Sequence, residues 1–212
     1  YHGEKPMWVS APLTVHRRCD DPMFRLCNEI AYGSMMVSGV QRRLDDPEHP
    51  DLFDGPHEQK ILPSQWIDVP ARTPGTHLQD NQIEELRNQI EQLQEQGVAI
   101  SQIIAISPFR VVANALGSLR GRYSGLRGGT IHTAQGREAD VVFLVLGGDP
   151  GAPGAKAWAS STVNLVNVAA SRAKRRLYVI GDRAAWAQYP YFADLASVLA
   201  SEPLQAAGKA NE

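Results

Sequence analysis

Three short, continuously apolar segments separated by amphipathic patterns constrain the fold of this chain most strongly. They read Ile-Ile-Ala-Ile at 103–106, Val-Val-Phe-Leu-Val-Leu at 141–146 and Leu-Tyr-Val-Ile at 177–180. The segments between them have helical periodicity at 111–119 and 163–173. A strand that is apolar on both faces must be covered on both faces, and strands that alternate with helices pair in parallel. The pattern therefore predicts a three-layer α/β fold, with a mostly parallel sheet between layers of helices.

The remaining periodic segments add elements around this sheet. Helices are predicted at 22–32 and at 80–96, the second with an apolar residue every three or four positions and Gly97 as its stop. A short strand is predicted at 66–69. The Ala-rich and aromatic segment 184–212 is expected to form a last helix and a disordered tail.

Size and composition bound the classes of function. The 212 residues, 43% of them hydrophobic, suffice for one α/β core, so a single domain over 1–212 is expected. The chain has 21 Lys and Arg and 23 Asp and Glu, a balance that excludes a generally basic surface. Any nucleic-acid contact must therefore be local. Cys19 and Cys27 predict neither a disulfide framework nor a metal site. No apolar run reaches the roughly 20 residues that span a bilayer, and a soluble cytoplasmic protein without a membrane partner is expected.

Residues 39–63 interrupt the alternation of strands and helices. Their composition shifts to Arg, Asp, Glu, His, Pro and Gly, and apolar periodicity is lost. We expect a solvated polar loop or insertion there. Because the chain begins with Tyr1 and reaches its first motif by residue 13, it is expected to be a piece of a longer polypeptide.

A Gln-Gly-Arg-Glu turn lies directly before the strand at 141–146 and has residue types suited to a nucleotide. Gly136 lets a backbone approach a ligand closely, because it has no Cβ. The carboxylate of Glu138 can accept a hydrogen bond from a ribose hydroxyl. The alternative for Glu138 is a helix-capping or surface carboxylate.

Arg172 lies near the end of a predicted helix and before the next strand. An arginine in such a position can stabilise charge on a transferring γ-phosphoryl group. The alternative is a basic helix end that interacts with the helix dipole. For Lys174, Arg175 and Arg176 we expect this second role.

Two nucleotide-binding motifs are missing from the sequence. No G-x-x-x-x-G-K-[ST] phosphate loop occurs, so Mg²⁺ and most of a triphosphate would have to be held outside this chain. No G-x-G-x-x-G lies between a first strand and a helix, which excludes a dehydrogenase-like dinucleotide domain.

Four segments together resemble motifs of superfamily 1 helicases, in the branch of the nonsense-mediated-decay RNA helicase and related DNA helicases. They are Leu-Thr-Val-His-Arg-Arg at 13–18, Ile-Ala-Ile-Ser-Pro-Phe-Arg at 104–110, Thr-Ile-His-Thr-Ala-Gln-Gly-Arg-Glu at 130–138 and Val-Asn-Val-Ala-Ala-Ser-Arg-Ala-Lys at 166–174. The segments follow the order of the family and extend over nearly the whole chain. In that family the second recombinase-like motor domain carries these motifs, and the first carries the phosphate loop.

The resemblance implies a recombinase-like, P-loop NTPase-type domain without its own phosphate loop, which forms part of an ATP-dependent helicase. It implies that Arg18 and Arg172 contact the γ-phosphate. It implies that Glu138 holds the ribose, beside Gly136 and Gln135.

The resemblance also implies partners. The backbone of single-stranded DNA or RNA would lie along four residues, Ser107, Pro108, Thr130 and His132. The N-terminal motor domain of the same polypeptide would hold the Mg²⁺ of ATP and complete the site. The isolated chain is therefore expected to lack ATPase activity.

A non-catalytic scaffold with a degenerate helicase fold is the alternative from a different class. The polar excursion at 39–63 and the tryptophans Trp8 and Trp158, which are expected to be exposed, would suit a binding module. A scaffold would not need both arginines and Glu138 together, and this argues for the motor.

Overall fold

The computed structural model describes residues 14–42, 51–55, 61–133 and 136–199. The strands are β1 (Val15–His16), β2 (Val37–Ser38), β3 (Gln65–Asp68), β4 (Ile103–Ser107), β5 (Arg127–Thr130), β6 (Ala139–Val145) and β7 (Ala173–Gly181). The helices are α1 (Met23–Tyr32), α2 (Asp80–Glu95), α3 (Arg110–Ser118), α4 (Pro153–Ala159), α5 (Asn164–Arg172), α6 (Arg183–Trp186) and α7 (Phe192–Val198). The strands and helices predicted from periodicity are present, with bounds shifted by a few residues.

Five of the described strands form one parallel sheet in the order β3-β7-β6-β4-β5. Helices flank this sheet, as expected for strands that are apolar on both faces. The short strands β1 and β2 pair separately, with Val15 opposite Val37. The fold is therefore α/β and P-loop NTPase-like, which confirms the predicted fold class.

The core is centred on β6 and β7, the two strands with the longest apolar runs. All residues of β6 from Val141 to Val145 are fully buried, and so are Val179 and Ile180 in β7. Phe143 and Tyr178 pack across the two strands with their ring centroids 5.3 Å apart. Such cross-strand aromatic pairs add to the free energy of burial.

The edge strand β5 was not predicted, because its sequence Arg-Gly-Gly-Thr has neither apolar alternation nor β-branched residues before Thr130. The structure explains the glycine at 128. A Cβ there would lie 2.5 Å from the carbonyl oxygen of Leu116 in α3. A glycine is therefore needed for the helix to pack this closely on the edge of the sheet.

The basic run after Arg172 corrects our expectation of a basic helix end. The helix stops at Arg172 and β7 begins at the next residue, so Lys174, Arg175 and Arg176 belong to a strand. Arg175 and Arg176 are only 8% and 6% exposed. Buried arginines require carboxylate or carbonyl partners, and the polar excursion provides them.

The expectation of a solvated excursion at 39–63 is wrong for the segment 51–55, while residues 43–50 and 56–60 lie outside the described residues. Phe53 is buried, and the guanidinium carbon of Arg175 lies 4.9 Å from the centroid of its ring. Asp51 accepts from Arg175 at 2.7 Å, and Asp54 accepts from Arg176 at 2.8 Å. The aspartates that suggested a solvated loop instead hold the segment to β7.

The end of the described chain packs on the core as expected. Trp186 of α6 and Phe192 of α7 are fully buried. Residues 200–212, which include the predicted tail, lie outside the described residues, as does Trp8. Cys19 and Cys27 are both free and buried. No helix in the part of the chain that the structure describes is long and apolar enough to cross a bilayer.

The buried ion pairs of the excursion generate a first prediction. Arg175→Ala leaves the Asp51 carboxylate, whose side chain is 6% exposed, without a cation. Breaking a buried pair on one side costs about 3 kcal/mol or more, so the free energy of unfolding in urea should fall by at least that amount. The matched control is Arg122→Ala, because the pair with Glu91 has side chains 64% and 44% exposed. This control should cost less than about 1 kcal/mol. Equal losses in the two variants would contradict the anchoring role.

The same contact makes stability depend on pH. Burial alone would raise the pKa of Asp51, but hydrogen bonds from Arg175 and from the Phe53 N–H hold this pKa below its ordinary value. A carboxyl group whose pKa is lowered by folding contributes stability that is complete above its unfolded-state pKa of about 4 and is lost as the pH falls through the folded-state pKa. We therefore expect the free energy of unfolding to fall below about pH 4, and to fall less steeply in Asp51→Asn. Urea titrations at a series of pH values measure both slopes, and identical slopes would refute the assignment.

Candidate nucleotide and nucleic-acid site

A carboxylate held between two cations lies at the amino ends of β6 and β7. Glu138 directly precedes β6, and Lys174 is the second residue of β7. The Glu138 carboxylate lies 2.8 Å from Nε of Arg18 and 3.0 Å from Nζ of Lys174. Two of the residues predicted to meet a nucleotide, Arg18 and Glu138, are thus in direct contact. Lys174 joins them because Ala139 and Ala173 pair in the parallel register.

The charge of Glu138 follows from these contacts. The hydrogen bond from Lys174 and the charges of Lys174 and Arg18 hold the pKa of Glu138 below its ordinary value, against a smaller opposing effect of burial. The carboxylate is therefore ionised at neutral pH and acts only as a hydrogen-bond acceptor. An acceptor is what a ribose hydroxyl needs.

Arg172, the last residue of α5, has a different environment. Its buried Nε has no hydrogen-bond partner among the described residues. Burial lowers the pKa of its guanidinium, Arg18 lowers it further, and Glu138 opposes the change. Three cations, Arg18, Arg172 and Lys174, surround the single carboxylate of Glu138 at the amino ends of β6 and β7. The cluster therefore has two positive charges in excess. An arginine whose buried Nε lacks a partner, together with an excess of positive charge, is suited to an anion such as a phosphate.

The turn before Glu138 leaves space for a ligand. Gly136 has a φ of +82°, and no heavy atom lies within 4 Å of the position that a Cβ would take. A side chain would be strained at this φ and would project into the open space. Gln135, the other residue predicted to bind the nucleotide here, lies outside the described residues.

The backbone of the Arg18 loop is fixed to the start of β7. The Asp20 N–H donates to the Lys174 carbonyl at 3.0 Å. Arg42 donates to the Asp20 carboxylate at 3.0 Å and to the Arg18 carbonyl at 3.1 Å. These bonds position the Arg18 side chain beside Glu138. No local pattern indicated Arg42, since its partners Asp20 and Arg18 are far away in the chain.

The residues predicted to follow a nucleic-acid strand lie at the other end of the sheet, after β4 and β5. Ser107 is fully buried, and its hydroxyl accepts from the Phe109 N–H at 3.3 Å. Burial leaves this hydroxyl no surface for a phosphate, so its role in this structure is to form the turn that presents Pro108. Thr130 likewise accepts from the Thr133 N–H at 3.2 Å.

The residues predicted to contact nucleic acid do not all line the same concave surface. Pro108 and His132 line one cavity of about 470 Å³. Thr130 lines a neighbouring groove of about 830 Å³, which Ser107 does not line. The structure therefore brings Pro108 and His132 together and leaves Thr130 in the adjoining groove.

The larger groove contains four arginines that sequence reasoning did not assign to a site, and none of the described residues that line it is a carboxylate. We call it the arginine groove, and its arginines are Arg110, Arg120, Arg127 and Arg137. Arg120 donates to the Gly128 carbonyl of β5 at 3.2 Å. The arginines are dispersed over α3, β5 and the adjoining turns, so no single stretch of sequence indicates the patch.

Comparison with known families agrees with this geometry. A family model described as an AAA domain matches residues 5–184. The chain belongs to this family. It is a helicase-type ATPase domain, which confirms the prediction of a helicase motor domain at that level. A search of curated proteins finds no match to it.

The two candidate sites of this helicase-type ATPase domain lie at opposite ends of the central strands. The residues Arg18, Glu138 and Arg172 lie at the amino ends of β6 and β7, whereas Pro108 and His132 lie beyond the carboxyl ends of β4 and β5. β6 has seven residues, which at about 3.3 Å each is roughly 20 Å.

Proposed function

We propose that the chain is the C-terminal motor domain of an ATP-dependent superfamily 1 helicase, in the branch of the nonsense-mediated-decay RNA helicase and related DNA helicases. The observation that carries the proposal is the convergence of Arg18, Glu138 and Arg172 at the amino ends of β6 and β7. The buried Nε of Arg172 has no hydrogen-bond partner among the described residues and is available to a phosphate there.

The chain supplies half of an ATP site, and an N-terminal motor domain of the same polypeptide supplies the phosphate loop and the ligands of Mg²⁺. ATP, when bound, supplies the phosphoryl group that is transferred to water. Arg172 stabilises the charge that develops on that group, as an arginine finger does. Glu138 orients the ribose, and the open side of Gly136 lets the backbone approach the nucleotide.

Arg18 changes partner when the cleft closes. In the domain alone its guanidinium is paired with Glu138, which Lys174 also binds. Because Lys174 can keep the carboxylate in place, Arg18 is free to turn to the γ-phosphate. The pair is partly exposed, with side chains 43% and 38% accessible, and exchange of such a pair costs about 1 kcal/mol or less.

Closing and reopening of the cleft moves the two motor domains along single-stranded DNA or RNA. On this chain the contacts are Pro108, Thr130 and His132, with Ser107 forming the turn that presents Pro108. Contact with the sugar-phosphate backbone does not depend on sequence, which suits a motor that must pass over every base.

The test is ATPase activity of the protein that contains both motor domains, with Arg172→Ala beside the wild type. Loss of an arginine finger lowers turnover by a factor on the order of 10³, and nucleotide affinity should stay near that of the wild type. Arg122→Ala, on the exposed surface, is the matched control and should retain full turnover. Stimulation is measured with single-stranded DNA and with single-stranded RNA. Wild-type turnover in Arg172→Ala would remove the finger role.

A second prediction concerns the isolated chain. It has no phosphate loop, so it should hydrolyse no ATP above background, with or without a single strand. The measurement is phosphate release from the purified chain. Turnover that survives purification to constant specific activity would contradict the shared site.

A non-catalytic scaffold remains the alternative function, and the exposed Trp158 is the observation that favours it. Its side chain is 59% exposed, as a protein-binding residue would be. Absence of ATPase activity in the wild-type two-domain protein, with either nucleic acid, would favour the scaffold.

A further inference from the structure

Trp158 of α4 lines the cavity of about 470 Å³ that also contains Pro108 and His132. It is 59% exposed, the most exposed aromatic side chain among the described residues. The cavity lies where the turns after β4 and β5 meet α4 and the start of α5.

The two other tryptophans that the structure describes are structural. Trp66 and Trp186 are fully buried, and their indole N–H groups donate to the carbonyls of Gly181 at 2.9 Å and Gly147 at 3.2 Å. Trp158 has neither this burial nor a comparable position in the core. An exposed indole at a concave surface is typical of a binding site rather than of packing.

The lining of the cavity favours a flat, polar-edged ring. Ile131 and Pro108 provide apolar surface, and Thr162 and Asn164 provide hydrogen-bonding side chains. The described part of the chain contributes no carboxylate to this lining, so an adjoining phosphate meets no like charge from it. Asn164 also begins α5, a helix of nine residues whose amino end favours negative charge. Planar stacking, hydrogen bonds at the edge and tolerance of a nearby anion are together the requirements of a nucleotide in a single strand.

We propose that this cavity binds one base of the single strand, stacked on the indole of Trp158, with His132 and Pro108 beside it. The inference rests on the proposed function, because it places the strand along Pro108 and His132. Stacking on an indole accepts every base, so the cavity holds the strand by a base without reading its sequence. The cavity thus contacts a base, whereas the other proposed residues contact only the sugar-phosphate backbone.

The test compares two ligands on the full-length protein. They are an oligothymidine and an abasic oligomer of the same length and charge, without ATP, and their dissociation constants are measured by fluorescence anisotropy. In the wild type the oligothymidine should bind more tightly. Trp158→Ala should weaken its binding by about tenfold and leave the abasic oligomer unaffected, whereas Trp158→Phe should keep most of the preference. The indole is largely exposed, so the substitutions should not unfold the protein.

Met35→Ala is the matched control, since Met35 is also an exposed apolar side chain, 69% accessible. The affinity of the Met35→Ala variant for both oligomers should equal that of the wild type. A second readout is the fluorescence of Trp158, which the oligothymidine should quench in the wild type and not in Trp158→Phe.

The outcomes separate this inference from the function on which it rests. If the wild type binds both oligomers and Trp158→Ala changes neither affinity, the base cavity is refuted and the motor stands. If Trp158→Ala weakens the binding of both oligomers equally, Trp158 contacts protein or the sugar-phosphate backbone, and the inference is again overturned. If the wild type binds neither oligomer, the proposed function itself fails.

Discussion

The junction between the loop at 18–20 and the start of β7 is the contact on which the candidate nucleotide site depends. The Asp20 N–H donates to the Lys174 carbonyl at 3.0 Å, and the Asp20 carboxylate lies 2.8 Å from Nε of Arg175. Arg175 also binds Asp51 and Asp54 of the excursion. One buried guanidinium thus ties together three segments that are far apart in sequence. Breaking one side of such a buried network is costly, so the position of Arg18 beside Glu138 is set by the core.

This arrangement assigns different physical tasks to neighbouring residues of one basic run. Arg175 and Arg176 are buried and donate to carboxylates and carbonyls of the excursion. Lys174 binds Glu138, and the buried Nε of Arg172 lacks a hydrogen-bond partner among the described residues. The pairing of β6 with β7 shifts register at this point, with Ala139 opposite Ala173 but Val141 opposite Arg176. The change from α5 to β7 at residue 173 therefore separates structural arginines from the one proposed to act on a phosphate.

The sequence predicted those parts of the fold that depend on local patterns. The apolar strands β4, β6 and β7 and the helix α2 were found because burial on both faces, or on one helical face, leaves a periodic signal. The strand β5 was missed because Gly128 is required by contact with Leu116, which is a tertiary constraint. The burial of Asp51 and the strand position of Arg175 were missed because charged residues indicate a surface unless their partners are known. In the site, the resemblance indicated Arg18, Glu138 and Arg172, but Arg42, Lys174 and the arginine groove depend on contacts that only the fold creates.

The distribution of charge also bears on how such a domain can hold a strand and release it. The chain as a whole has a formal charge of −2, yet the arginine groove has four guanidinium groups and no carboxylate among its described lining residues. Positive charge is thus concentrated on local surfaces, in this groove next to Thr130 and around Glu138. A uniformly basic domain would bind a phosphate backbone strongly at any point, and it would then have to break many contacts in each step. Under the proposed function, local patches of positive charge and the proposed base contact at Trp158 would limit the number of contacts that a step must exchange. The negative net charge of the chain is therefore consistent with a motor that moves along nucleic acid.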